Sequence, residues 1–140
     1  MELKDKEWII LDHPADVMVE IHGKTFEEFC QNAIKALNHF LGRVLSDKKE
    51  STQKIEIEGT CPEELLVNLL RELVYKFYTS YCLVTKIKMR SLKNNKVRME
   101  IVSRSATVGS DSIEVKGVTY HGLSVQENES GYHARLVFDV

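Results

Sequence analysis

The chain has 140 residues, 43% of them hydrophobic and 29% charged, a globular composition that excludes disorder as its main description. That length suits one domain over residues 1–140, built around a single core. Lys plus Arg number 19 against 21 Asp plus Glu, and a net charge of -2 argues against a surface that grips nucleic acid everywhere by counterion release.

The opening segment, MELKDKEWIILDH, mixes charges through its start and has no apolar stretch of the kind a secretory signal needs. No run approaches the ~18 apolar residues of a membrane span, so no membrane association is expected. The three cysteines, Cys30, Cys61 and Cys82, are widely spaced without a CxxC pair. They read as reduced, buried small hydrophobes in a cytoplasmic protein.

Trp8 to Leu11 reads as a short strand. A second follows His13-Pro14-Ala15-Asp16, with Val17, Val19 and Ile21 on one face and Met18, Glu20 and His22 on the other. Thr25-x-x-Glu28 is a capping box, in which hydroxyl and carboxylate each satisfy an orphan backbone N–H. The apolar stripe from Phe26 to Leu41 then predicts a helix, with Gly42 as its C-cap. Ser46 to Thr52 reads as a loop and Lys54 to Gly59 as a strand. Thr60-Cys61-Pro62-Glu63 repeats the helix-start signal, and Leu65 to Phe77 gives a second amphipathic helix.

From Cys82 the period becomes two. Val84 to Leu92 and Val97 to Val102 predict strands joined at Lys93-Asn94-Asn95-Lys96, where asparagines tolerate left-handed backbone. Ile113 to Val125 reads as one long strand, Glu127 to Gly131 as a turn, and Tyr132 to Val140 as the last strand. The expected class is α+β: two amphipathic helices packed on a largely antiparallel β-sheet.

Gly23-Lys24-Thr25 is a poor phosphate loop, because GxxxxGK[ST] would place its first glycine at Met18, inside a strand. The five histidines have no partners at local zinc-ligand spacing. At the end of the last strand Asp139 stands beside the Val140 carboxylate, and both are hard oxygen ligands suited to Ca²⁺ or Mg²⁺. If Asp16 converged on them, three oxygen donors could hold a cation. A solvated strand end, with Asp16 capping the turn after Pro14, is the plainer alternative. Lys86, Lys88 and Arg90, with Lys93, Lys96 and Arg98, make one face of the hairpin basic. That face offers a small RNA-binding module as a second reading, against edge protection by lysine. A metal-dependent hydrolase on Asp16 and Asp139 would lack any evident nucleophile.

Several ordered segments together resemble the archease family. Leu11-Asp12-His13-Pro14-Ala15-Asp16 is similar to its HTAD segment, and Glu114 to His121 (EVKGVTYH) to its VKAxTYH stretch. Gly23 to Phe29, Leu65 to Tyr75 and the closing Phe138-Asp139-Val140 follow in the same order. The chain departs at Pro14, where the family usually has Thr, and at Gly117, where it has Ala. The family's Asp at the end of the first long helix is missing near Leu41-Gly42, and its Gly-Glu is not evident around Val108-Gly109. The resemblance implies a non-catalytic activator of the GTP-dependent tRNA-splicing RNA ligase, which promotes guanylylation of the ligase's active-site histidine and repeated turnover. It implies a divalent cation, Ca²⁺ or Mg²⁺, on Asp16, Asp139 and Val140. It also implies a functional lysine at Lys116, and contact with tRNA only through the ligase.

Overall fold

A computed structural model describes residues 7–11, 16–45 and 50–140. Asp12 to Ala15, within the HTAD-like segment, and Ser46 to Lys49 of the expected loop lie outside the described residues. The elements in order are β1 (Trp8–Leu11), β2 (Val17–Gly23), α1 (Phe26–Leu41), β3 (Arg43–Val44), β4 (Glu50–Glu58) and α2 (Pro62–Ser80). Then come β5 (Cys82–Lys93), β6 (Lys96–Thr107), β7 (Gly117–Thr119), β8 (Gln126–Asn128) and β9 (Gly131–Asp139).

The α+β class is as expected, with two sheets in place of one. Among the described residues a five-stranded sheet runs β1-β2-β9-β7 with β8 also on β9, and a four-stranded sheet centres on β6. All the pairings are antiparallel. Each helix packs on strands of both sheets: α1 meets β1, β2 and β9 on one side and β5 on the other, and α2 meets β7 as well as β4 and β5. The expected stripe of α1 is buried from Phe29 to Leu41, and the two flanking sheets explain why Asn32 and Ala36 are buried beside it. Each fully buried large side chain stabilises the fold by about 1.5–3 kcal/mol. No helix among the described residues is long and apolar enough to cross a membrane.

The helix starts show how local chemistry sets the boundaries. The Thr25 hydroxyl accepts from the Glu28 N–H at 3.1 Å, and Glu28 Oε1 accepts from the Lys24 N–H at 3.3 Å. The second start differs from the expected capping box at Thr60. Cys61 takes the N-cap position without a side-chain bond. Glu64 accepts the Thr60 N–H at 3.1 Å, while Glu63 reaches across to the Val125 N–H at 2.7 Å. Burial pushes Glu63 up, but bonds from Val125, its own N–H and Cys61 outweigh that and hold its carboxyl below the ordinary value. Gly42 caps α1 in extended backbone, with φ 174°, so room is what glycine supplies there: a Cβ would stand 2.4 Å from the Thr107 carbonyl oxygen.

The asparagine turn is as expected, with Asn94 at φ 54° and Asn95 at φ 62°. The long strand over Ile113 to Val125 does not form. The Ile113 N–H goes to the Phe40 carbonyl, the Val115 N–H to the Tyr78 hydroxyl and the Val125 N–H to Glu63. Only Gly117–Thr119 makes strand pairs in that stretch, and a turn follows with the Leu123 N–H on the Tyr120 carbonyl and Gly122 at φ 76°. The alternation is real, but acceptors on the helices capture the amides that a neighbouring strand would otherwise take. At the other strand boundaries, β4 starts at Glu50, inside the expected loop, and β6 runs on to Thr107. The cysteines divide as well: Cys30 is buried, which pushes its thiol far up, whereas Cys61 and Cys82 are partly exposed.

Candidate functional site

The register of the first sheet brings the predicted acidic residues to one end of it. Val17 lies opposite Phe138, so Asp16 and Asp139, each one residue further out, come to the same end of the sheet, and Gly117 pairs with Asp139 from the other side. Ala134, Leu136 and Phe138 of β9 are buried toward the helices, so alternation turns Asp139 to the opposite face. There the Thr119 hydroxyl donates to Asp139 Oδ1 at 2.8 Å, and a Cβ added at Gly117 would meet Oδ2 at 3.3 Å. Glycine at 117 therefore leaves the second carboxylate oxygen with the more open approach.

Lys116 enters the same neighbourhood through its backbone, whose N–H donates to the Asp139 carbonyl at 2.7 Å, while its side chain is exposed. Val140 follows Asp139 and is 39% exposed. Among the described residues no three His, Cys, Asp or Glu side chains come together as a metal cluster. A cation at this end would draw on the side-chain oxygens of Asp16 and Asp139 and on main-chain oxygen at Val140. That donor set is all oxygen and fits Ca²⁺ or Mg²⁺ in kind.

Three residues outside the expected site set stand around this segment: Thr119 on Asp139, Arg71 on the Val118 carbonyl at 3.2 Å, and Tyr78 on the Val115 N–H at 2.8 Å. Nothing in local spacing marks them, because their partners lie 20 to 47 residues away. Elsewhere on the sheet His22 and His133 stack at 5.8 Å, beside a hollow of about 500 Å³ near Gly23 and Gly131. Asp16, Lys116 and Asp139 do not line that hollow.

The basic hairpin is less positive than its sequence suggests. Arg90 pairs with Glu100 at 2.7 Å, Arg98 with Glu56 at 3.2 Å, and Lys96 with Glu58 at 3.4 Å, while Arg104 pairs with Glu50. The hydrogen bond from Arg90 holds the Glu100 carboxyl below its ordinary value. Acidic residues of β4 and β6 thus alternate with the basic ones, and the face carries mixed charge. A steady positive stripe, which RNA binding by this hairpin would use, is not what these pairs make.

Fold and site together define a small α+β protein whose chemistry-bearing residues gather at a strand end, outside the buried core. The archease protein family (MTH1598/TM1083) matches residues 8–140. The chain is 25% identical over 146 residues to the archease of Methanosarcina barkeri, covering 100% of both, and 30% identical over 132 residues to that of Thermoplasma acidophilum, covering 94% and 92%. Its fold is similar to the crystal structure of a Thermotoga maritima archease described as a possible chaperone. There the TM-score is 0.70 with 22% identity, and 93% of this chain and 94% of that one are covered. The solution structure of Methanobacterium thermoautotrophicum protein 1598 gives a TM-score of 0.69 with 22% identity over 96% and 99%. The chain belongs to the archease family.

Proposed function

We propose that this protein is a non-catalytic cytoplasmic activator of the GTP-dependent tRNA-splicing RNA ligase. It promotes guanylylation of the ligase's active-site histidine and sustains multiple turnover, and tRNA is met only through the ligase. The observation that carries this reading is the family match over residues 8–140, in a chain whose Asp16, Asp139 and Lys116 segment share one sheet end.

Asp16, Asp139 and main-chain oxygen at Val140 would hold a Ca²⁺ or Mg²⁺ ion, which supplies positive charge and Lewis acidity toward phosphate oxygens when bound. The Lys116 side chain is exposed at the same end of the sheet, its backbone bonded to Asp139. Nucleotidyl transfer concentrates negative charge on the triphosphate, so an added lysine contributes by electrostatic stabilisation and orientation.

The direct test is RNA ligation by a cognate ligase under multiple-turnover conditions. Adding this protein is expected to raise the steady-state rate and the amount of guanylylated ligase. A ligase that turns over equally well without it would end the proposal. The cation site has its own test in Thr119→Val, which removes the hydroxyl on Asp139 Oδ1 at little change in volume. Ca²⁺ affinity measured by calorimetry is expected to fall by about 10-fold or more, with Thr119→Ser close to the parent. Equal affinity in Thr119→Val and the parent would separate Asp139 from cation binding.

A further inference from the structure

Lys116 stands on a segment that the sheet alone does not hold firmly. β7 has three residues and pairs only with β9 among the described strands, and Val115, just before Lys116, is outside any strand. Three bonds fix this stretch. The Lys116 N–H is held by the Asp139 carbonyl at 2.7 Å. On the helix side the Val115 N–H donates to the Tyr78 hydroxyl at 2.8 Å, and Arg71 Nη2 donates to the Val118 carbonyl at 3.2 Å. The two α2 residues are seven apart, about two turns, and so lie on one face of the helix. Their bonds bracket Lys116 and Gly117.

Neither side chain is buried in the core, although the Tyr78 ring leans edge-on against Phe77 with centroids 5.1 Å apart. Tyr78 is 37% exposed and Arg71 is exposed, while Val115, whose amide needs the Tyr78 oxygen, is 2% exposed. A buried amide without an acceptor is costly, so the Tyr78 hydroxyl keeps this irregular segment against α2. Arg71 sets the spacing on the far side of the lysine. The geometry points to Arg71 and Tyr78 as positioning residues that act through Lys116: they fix the backbone on either side of it, and with it the place at the sheet end from which its ammonium reaches out. This inference rests on the ligase-activating reading and identifies what orients its lysine.

Two variants remove the bonds and keep most of the bulk, Tyr78→Phe and Arg71→Met. Each is expected to lower the maximal stimulation of multiple-turnover ligation about three- to tenfold, the effect of losing one or two hydrogen bonds at a site where orientation matters. The concentration giving half-maximal stimulation should stay unchanged, because neither residue is assigned to ligase contact. Arg71→Lys, which can still donate to the Val118 carbonyl, should recover part of the loss. Amide exchange at Val115 should quicken in Tyr78→Phe, with exchange in α1 and β9 unaltered. If Lys116→Ala loses stimulation while both variants match the parent, positioning is overturned and the ligase reading stands. A shifted half-maximal concentration with an unchanged maximum also overturns it, in favour of direct contact with the ligase. If the parent protein does not stimulate the ligase, the inference falls with the reading beneath it. If Tyr78→Phe fails to fold, the comparison of Arg71→Met with Arg71→Lys decides the question.

Discussion

Lys116→Ala is expected to return multiple-turnover ligation to the rate of the ligase alone, with binding to the ligase and the fold preserved. The Lys116 side chain is exposed, and the bond that ties the residue down uses its backbone N–H, which alanine retains. A surface substitution of this kind changes stability by about 0.5 kcal/mol or less. The activity loss should exceed ~10-fold, equivalent to at least ~1.4 kcal/mol of transition-state stabilisation. Lys116→Arg would keep the charge while replacing a compact ammonium with a planar fork, so partial stimulation is expected. Ligase guanylylation, co-migration of the two proteins and the thermal midpoint are the three readouts. Normal stimulation by Lys116→Ala would remove Lys116 from the mechanism.

Phe138→Ala is expected to cost about 3–5 kcal/mol, a large share of the ~5–15 kcal/mol that holds a domain of this size folded. Phe138 is 0% exposed and meets Phe40 of α1 with ring centroids 5.9 Å apart. It also sits between Val17 of β2 and Val118 of β7 in the register. The vacated space therefore opens where three strands and a helix converge, one residue from Asp139. Urea unfolding should show the midpoint dropping sharply at a nearly constant slope. Ca²⁺ affinity should weaken together with stability, since Phe138 keys the register that brings Asp16 and Asp139 to the same end of the sheet. A loss below ~1 kcal/mol would mean that the site can collapse around the gap, and the core would be less coupled to the sheet end than the packing indicates.

Both predictions turn on residues whose importance was legible to different degrees. Alternation along Tyr132 to Val140 marks Phe138 as inward and Asp139 as outward without any structure, and β9 follows it. The Thr25 capping box and the Asn94-Asn95 turn were equally readable, because each is satisfied by atoms within four residues. The candidate site was legible mainly by resemblance. Asp16, Lys116 and Asp139 carry no local signature that separates them from other surface charges. Thr119 and Arg71 lie within stretches that carry the resemblance but had no role marked by it, and Tyr78 had no signal at all, since a tyrosine on an exposed helix face looks the same whether or not it bonds a distant amide.

The sequence by itself determined the α+β class, the two helices, the inward and outward faces of the main strands and the family resemblance. These rest on local hydrogen bonding and on hydrophobic period, which a linear chain carries in full. The near-neutral charge was also readable, though its arrangement was not: whether Arg90, Lys96 and Arg98 form a basic face depends on Glu100, Glu58 and Glu56 standing opposite them. Tertiary structure alone decided that there are two sheets sharing the helix pair, and that the stretch from Ile113 to Val125 breaks into a bonded loop and a three-residue strand. It alone brought Asp16 and Asp139 to the same end of one sheet. Each outcome depends on which distant group reaches an amide or a carboxylate first, and that competition is settled only when the core packs.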